Sequence, residues 1–301
     1  MWSVWSLAVL CVATAAGGEE PPAGQAIAAR VNGEPISWSE VADALRQAYG
    51  DREPSDERRR EAALTQLIDR RLVLAALTRL GQAASSQDVD LALAQFTKEL
   101  AAQNLTLAEH CRRVGLTEAD IRRSLAWKLS WQRYLSRQLN EQDLERYFAR
   151  HRREFDGTEL RVAQILLKPS APADEAAVRA ALERARQWKA DIAAGKLTFA
   201  EAARQHSQAP SAAEGGDIGW IERHRPMPED FSRAAFGLAV GAISEPLVTP
   251  FGVHLITVLE EKPGQKTWRE AENELRPAAA LYLFRWLADQ ERPRAQVERK
   301  P

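Results

Sequence analysis

Apolar residues recur at helical spacing along most of the first half of the chain. Between residues 55 and 80, Leu67, Leu74 and Leu77 fall on one face of a helix, and Gly81 follows as a stop signal. Such one-sided stripes are typical of helices that pack on a shared core. The same spacing predicts four more helices, at residues 85–102, 106–114, 117–135 and 140–148.

The segment ahead of these helices is predicted to be extended chain that contains a tight turn. Asn32-Gly33 is a strong turn dipeptide, because both residues tolerate a positive φ. Ser37 or Ser39 is then placed to cap a helix that starts near Glu40. Caps are also predicted for the later helices, at Ser85 or Ser86, Thr106, Thr117 and Asn140.

The pattern changes at Thr158. Residues 159–167 form a β-type run, which predicts a strand, and Lys168-Pro169 ends it. The elements that follow are predicted to be helices at 172–194 and 198–205 and strands at 243–249 and 252–260. A strand, two helices and two strands predict a compact α+β domain. Beyond this domain, the sequence predicts a helix at 268–290 and, from residue 291, a charged and disordered tail.

Composition limits the function classes. The chain has 301 residues, with 41 basic and 42 acidic side chains and a formal net charge of −1, so there is no electrostatic case for nucleic-acid binding. The length allows two domains. Cys11 and Cys111 are the two cysteines, and no motif surrounds Cys111, which is interpreted as a small buried hydrophobic residue.

The first 16 residues are predicted to be a secretory signal peptide. A short apolar run leads into small residues, and Ala13-Thr14-Ala15 offers a cleavage site, although no Lys or Arg precedes the run. The alternative is an anchor that stays in the membrane. The apolar run is shorter than the roughly 20 residues that span a bilayer, which favours cleavage. The sequence therefore predicts export to the periplasm or to the outer face of the membrane.

An ordered set of glycine, apolar and histidine positions runs through the predicted α+β domain. Its members are Phe199-Ala200, Ser207, Gly215-Gly216-Asp217-Ile218-Gly219-Trp220, Met227, Phe231, Phe236, Gly241-Ala242-Ile243-Ser244 and Thr249-Pro250-Phe251-Gly252-Val253-His254-Leu255-Ile256. In this order the set resembles the rotamase domain of the parvulin-type (PpiC) peptidyl-prolyl isomerases. A Gly-Gly-Asp or a Phe-Gly alone would not be specific, whereas the complete ordered set is.

The flanking residues resemble the exported SurA and PrsA foldase-chaperones. The resemblance rests on the Val31-to-Ser37 element, the helical first half and the helix after the rotamase segment. It implies an α+β fold in which a small antiparallel sheet surrounded by helices is joined to a mainly helical N-terminal domain. The implied parts are a signal peptide at 1–16, a helical chaperone domain at 26–157, a rotamase domain at 158–262, a C-terminal helix at 267–290 that packs on the N-terminal domain, and a disordered tail at 291–301.

The resemblance also implies the site residues. His254, Gln164 and Thr249 take catalytic positions, whereas the expected substrate-binding residues are Ile218, Met227, Phe231 and Phe251. Residues 227 and 231 are four apart, so a helix that begins near Pro228 puts both side chains on one wall. From spacing alone, these apolar residues are better explained as the core of a small domain, and only the order of the motifs favours a binding role.

Two positions depart from the family pattern. The family usually has a second histidine on the first strand, where this chain has Gln164, and a Cys or Asp two residues after the serine matched by Ser207, where this chain has Ala209. The Gln side chain can donate and accept hydrogen bonds, but it does not titrate. These departures predict low or substrate-selective rotamase activity.

The implied function is that of a peptidyl-prolyl isomerase and chaperone that assists the folding of exported proteins. Its partners would be unfolded or proline-containing polypeptides, including outer-membrane proteins, and the resemblance implies no metal and no organic cofactor. The alternative is a non-catalytic periplasmic holdase whose rotamase domain only binds peptide segments.

Overall fold

The computed structural model of the protein describes residues 26–49, 57–170 and 175–300. The predicted signal peptide lies outside the described residues. Within the described ranges, no helix is both long enough and apolar enough to cross a membrane.

The described chain contains eleven α-helices and seven strands. In chain order they are β1 (Ile27–Val31), β2 (Glu34–Ser37), α1 (Trp38–Tyr49), α2 (Glu57–Arg79), α3 (Ser86–Ala102), α4 (Leu107–Val114), α5 (Glu118–Gln138), α6 (Glu141–Arg150), α7 (Arg152–Phe155), β3 (Glu159–Leu167), α8 (Glu175–Ala193), α9 (Phe199–His206), β4 (Asp217–Glu222), α10 (Glu229–Phe236), β5 (Leu247–Thr249), β6 (Gly252–Lys262), α11 (Glu272–Glu291) and β7 (Val297–Arg299). The expectation of an α+β fold is confirmed.

The chain divides into two compact units. The first contains the described parts of Met1–Glu141 and Ala278–Pro301, and the second contains those of Gln142–Pro277. The second unit therefore begins earlier than the boundary at residue 158 that the sequence suggested. The reason is that the short helix α7, which precedes that boundary, bonds to residues deep in the second unit: Arg153 donates to the carbonyl oxygen of Phe236 at 2.8 Å.

Helix starts in the first unit follow the predicted caps. Ser85, Thr106 and Thr117 each accept a hydrogen bond from the backbone N–H three residues later, and an acidic side chain at that later position bonds back to the cap. This reciprocal capping box satisfies donors that a helix end leaves without partners. At α1, Ser37 and Glu40 exchange the same pair of bonds, so the helix begins at Trp38 rather than near Glu40.

The C-terminal tail is ordered, and the expectation of disorder from residue 291 is wrong. Strand β7 pairs antiparallel with β1 and completes a three-stranded sheet in the order β2-β1-β7. The backbone N–H of Asn32 donates to Gln296 at 2.8 Å, and Val297 packs against the core of this unit. Charge along the tail gave no sign of this pairing, because the driving force is the free edge of β1.

The main core of the first unit combines residues that are distant in sequence. Buried residues of α1 and α2 pack with Leu287 and Ala288 from the C-terminal part of α11. Trp127 and Trp131 stack at 5.5 Å between ring centroids, and both meet Phe284 edge-on. These aromatic side chains are therefore core residues in this structure. Partly buried Cys111 packs against a second core between α3 and α5.

The second unit is built on a four-stranded antiparallel sheet in the order β4-β3-β6-β5. Alternate residues of a strand point to opposite faces, and both faces of this sheet are covered. On one face Val162 and Ile256 pack with helix α10, and on the other Ile165 and Leu255 pack with helices α8 and α9. Burial on both sides explains why successive residues of β3, from Val162 to Leu167, are all buried.

The strand predicted at residues 243–249 is shorter in the structure, where β5 covers only Leu247–Thr249. Ile243 makes an isolated bridge to Thr257, and the backbone N–H of Ser244 donates to the carbonyl oxygen of Ile256. Pro246 has no N–H to donate, so the ladder is interrupted at that position.

Candidate functional site

Gln164 and His254 lie on the α10-facing side of the sheet. In the β3–β6 register, Gln164 is opposite Ile256 and His254 is opposite Leu166. Since alternate residues share a face, Gln164 and His254 are diagonal neighbours on the face that also carries Val162. Both residues are buried, with Gln164 8% and His254 3% exposed.

A chain of hydrogen bonds runs through the His254 ring. His254 Nδ1 lies 2.9 Å from Oε1 of Gln164, and His254 Nε2 lies 2.7 Å from Oγ1 of Thr249. An amide oxygen only accepts, so Nδ1–H donates to Gln164 and Nε2 accepts from the Thr249 hydroxyl. The same hydroxyl oxygen accepts the backbone N–H of Phe251 at 3.1 Å. The ring is thereby held on both sides in one tautomer.

Burial keeps the His254 imidazole neutral. Desolvation lowers its pKa from the usual 6.5 to about 4. Its two ring partners, an amide and a hydroxyl, carry no charge that would offset this effect. At neutral pH the site therefore presents a fixed, uncharged hydrogen-bonding group rather than a cation.

The low pKa of His254 predicts a pH-dependent stability. Because the folded-state pKa lies below the unfolded value, the contribution is complete above pH 6.5 and is lost as pH falls toward 4, by up to about 3 kcal/mol. We expect the unfolding free energy of the wild type to fall more steeply over this window than that of His254→Gln, which cannot titrate. Urea unfolding at several pH values measures both slopes, and equal slopes would contradict the assignment.

Three of the predicted substrate-binding residues converge on one cluster beside His254. Ile218 and Met227 are partly buried and pack against the core that contains Phe231. The ring of Phe231 meets the imidazole of His254 edge-on, with centroids 5.5 Å apart. Ile218 comes from β4, Met227 from the loop before α10 and Phe231 from α10 itself.

Phe231 differs from its expected role in one respect. Its side chain is 0% exposed, so no ligand reaches the ring from solvent in this structure. In this structure Phe231 lies in the core against which Ile218 and Met227 pack, and it is not at the accessible surface. Ile218 and Met227 are partly exposed, as are Ala234, Leu238 and Leu247, which pack against the same core.

Phe251 lies at the tip of the β5–β6 hairpin, apart from the buried cluster. It is 63% exposed, one of the most accessible large apolar side chains among the described residues. Its backbone N–H bonds to Thr249, which links the hairpin tip to the hydrogen-bond chain at His254.

The paired glycines position the start of this chain. Gly216 has φ +86° and its carbonyl oxygen accepts the N–H of Gln164 at 2.9 Å. A Cβ on Gly216 would lie 2.4 Å from the carbonyl oxygen of Gln164. The second glycine of the pair is thus required by close approach of two backbones as well as by its conformation.

Ala209 occupies a buried position and offers no polar side chain to the site. Its N–H and that of Leu166 both donate to Oγ of Ser207, at 3.2 and 3.1 Å. Ser207 therefore ties this segment to the end of β3, whereas the side chain at 209 is a methyl group.

Sequence reasoning missed the arginine that closes the loop before α10. Arg223 is 8% exposed and binds both carboxylate oxygens of Glu229, at 2.8 and 2.7 Å. A bidentate pair of this kind fixes geometry as well as charge. It holds together the two ends of the loop that carries Met227. The sequence signal, opposite charges six residues apart across two prolines, was present but unspecific.

Comparison with known families identifies the second unit. Residues 165–260 match the family model of the rotamase, or PPIC-type peptidyl-prolyl isomerase, domain. The chain therefore contains a PPIC-type rotamase domain. The match begins one residue after Gln164 and covers His254, Met227 and the paired glycines.

Relatives among curated proteins include several named Chaperone SurA. The protein of that name from Albidiferax ferrireducens is 40% identical over 119 residues, covering 40% of this chain and 25% of that protein. The one from Saccharophagus degradans is 29% identical over 235 residues, covering 73% of this chain and 52% of that protein. The chain thus spans about half or less of the relatives it matches.

Among solved structures, the chain is similar to the peptidyl-prolyl isomerase PrsA from Bacillus anthracis. That similarity has 24% identity and a TM-score of 0.38, and it covers 76% of this chain and 94% of the other.

Proposed function

We propose that this chain is a SurA-like chaperone whose rotamase domain isomerises peptidyl-prolyl bonds in exported polypeptides. The observation that carries the proposal is the buried Gln164–His254–Thr249 hydrogen-bond chain next to the partly exposed Ile218 and Met227 side chains. The match of residues 165–260 to the PPIC-type domain supports it.

The chemistry of prolyl isomerisation suits such a site. Rotation about the imide bond meets a barrier of about 18–20 kcal/mol, which arises from amide resonance. The twisted transition state has lost conjugation and carries a smaller carbonyl dipole than either planar isomer. An apolar surface therefore favours the twisted form relative to water, and each 1.36 kcal/mol of that preference gives about tenfold in rate.

In this proposal the apolar side chains bind the client, and the hydrogen-bonded set of Gln164, His254 and Thr249 fixes the polar part of the site. Ile218 and Met227 hold the proline ring, with Phe231 supporting them from behind, and Phe251 contacts the neighbouring residue of the client. The neutral His254 imidazole is hydrogen-bonded to both Gln164 and Thr249, and these bonds keep the three polar side chains in one arrangement. No proton transfer is needed, which is compatible with a pKa of about 4 for His254.

The proposed clients are unfolded or proline-containing polypeptides, including outer-membrane proteins, that fold after export. The proposed location is the periplasm, with residues 1–16 as a cleaved signal peptide. The relatives named Chaperone SurA support a chaperone role, which the helical first unit would share with the rotamase domain.

A second candidate function is peptide binding without catalysis. Two observations favour it: Gln164 replaces a titratable histidine, and Ala209 leaves the site without a polar group near the substrate amide. In that case the second unit would recognise proline-containing segments and the chain would act as a holdase.

An exchange measurement separates the two candidates. We expect the purified chain at catalytic concentration to raise the cis–trans exchange rate of a proline peptide above the solvent rate, for which the exchange time is tens to hundreds of seconds. Two-dimensional NMR exchange spectroscopy measures this rate, and suppression of aggregation of a denatured outer-membrane protein is measured in parallel. Exchange at the solvent rate with aggregation suppressed would support the holdase, and failure of both would refute a chaperone role.

A further inference from the structure

Helix α7 lies ahead of the residues that match the rotamase family model, yet its side chains are linked to both ends of the helix that carries Phe231. Residues 152–155 form α7, whereas the family match starts at residue 165. Arg153 bonds directly to the C-terminal end of α10, whereas Glu154 is linked to its N-terminal end through Arg223.

Arg153 binds the C-terminal end of α10. One of its guanidinium nitrogens donates to the carbonyl oxygens of Phe236, at 2.8 Å, and of Leu238. The other terminal nitrogen donates to Glu261 on β6 at 2.8 Å. A cation at this position satisfies carbonyls that the helix end leaves without partners and opposes the negative end of the helix dipole. Arg153 thereby links the end of α10 to the sheet.

Glu154 acts at the N-terminal end of α10. Its Oε2 accepts a hydrogen bond from Nε of Arg223 at 3.1 Å, and Arg223 in turn binds Glu229 in the first turn of α10. Glu229 lowers the electrostatic energy of the helix start, since an anion there complements the dipole. The pKa of Glu229 is lowered because of its hydrogen bonds with Arg223. The loop with Met227 lies between Arg223 and Glu229.

Helix α7 is itself held in place by contacts at its C-terminal end. Phe155 is 3% exposed, and the carbonyl oxygen of Asp156 accepts the N–H of Lys266 at 2.8 Å. The side chain of Asp156 also accepts two bonds from Thr158. These contacts give α7 a fixed position from which its two charged side chains can act.

The position of α10 needs such support. It has eight residues, and a helix this short is marginal without tertiary contacts. One face of α10 packs on the sheet. Its C-terminal end is bonded to Arg153 of α7, and its N-terminal end is linked to Glu154 of α7 through Arg223.

We propose that α7 is a brace for the proline-binding pocket, and that Arg153 and Glu154 are positioning residues for Met227 and Phe231. The proposal rests on the proposed function of that pocket. It assigns a role in the site to a segment outside the matched rotamase domain, and it makes the affinity of the pocket sensitive to any displacement of α7.

A methyl signal reports on the brace directly. The chain has two methionines, Met1 and Met227, so ¹³C-methyl labelling of methionine gives a signal for the pocket wall that Met227→Leu assigns. In the full chain, Arg153→Gln and Glu154→Gln are expected to move this signal and to weaken binding of a proline peptide by roughly three- to tenfold, as for residues that act through a chain of contacts. Arg153→Lys, which retains a donor, is expected to restore part of the affinity.

Arg152→Gln is the matched control. Arg152 belongs to the same short helix, its side chain is 65% exposed, and it pairs with Asp156, the residue that follows α7. It is expected to leave both the Met227 signal and the peptide affinity unchanged. Unchanged signal and affinity in Arg153→Gln and Glu154→Gln would overturn the brace. If the wild type binds no peptide, the proposed function fails. The brace is then tested separately, by whether Arg153→Gln and Glu154→Gln shift the Met227 signal in the absence of peptide.

Discussion

Gly216→Ala is expected to destabilise the rotamase unit by at least about 4 kcal/mol, a loss that only a few mechanisms produce. The added Cβ would lie 2.4 Å from the carbonyl oxygen of Gln164 and 3.1 Å from Cβ of Ala203. Neither neighbour yields easily, because one is strand backbone and the other is the fully buried side chain of Ala203 in α9. A left-handed φ of +86° adds a further cost of roughly 1–2 kcal/mol for a residue with a Cβ.

Gly219→Ala is the matched control for this prediction. Gly219 also has a left-handed φ, +78°, but a Cβ there meets nothing within 4 Å. It is expected to cost only the conformational term of roughly 1–2 kcal/mol. Urea unfolding followed through the Met227 methyl signal measures the second unit for both variants. Equal losses in the two variants would show that close approach at Gly216 does not matter.

Local sequence signals predicted the helices well, because their starts depend on residues only three positions apart. Thr106 and Thr117 cap α4 and α5 through the acidic residues of the next turn, as short-range hydrogen bonding requires. The turn at Asn32-Gly33 has positive φ at both residues for the same local reason.

Features that depend on distant partners were not predicted. The pairing of β7 with β1 joins residues 297–299 to residues 29–31, and charge composition carries no information about it. The shortened β5 reflects the place of Pro246 in a ladder with β6. Both differences arise from the partner strand rather than from the segment itself.

The candidate site shows the same division. Motif order placed Gln164, Thr249 and His254 together, and the structure joins them by direct hydrogen bonds. Motif order did not indicate that Phe231 is fully buried or that Arg223 clamps the loop of Met227. The burial of Phe231 depends on how α10 packs on the sheet. In our proposal that packing depends on α7, which no motif includes.

Met227→Ala is expected to slow prolyl exchange by about 10- to 100-fold, equivalent to about 1.4–2.7 kcal/mol of lost transition-state stabilisation. The reason is that Met227 is one of the partly exposed apolar side chains beside His254, and truncation removes apolar surface that would contact the proline ring. Met227→Leu conserves volume and is expected to retain most of the activity. NMR exchange spectroscopy with a proline peptide measures all three proteins.

The same experiment includes a variant at an exposed apolar residue of the sheet outside the cluster. Leu259 is 39% exposed on β6, and Leu259→Ala is expected to catalyse cis–trans exchange of the peptide at the wild-type rate.

Suppression of aggregation is expected to survive Met227→Ala, because holding an unfolded chain does not require faster rotation about the imide bond. Loss of exchange with chaperoning intact would show that the two activities are separable. An unchanged exchange rate in Met227→Ala would mean that the proline ring binds elsewhere, and the pocket formed with Ile218 would have to be abandoned.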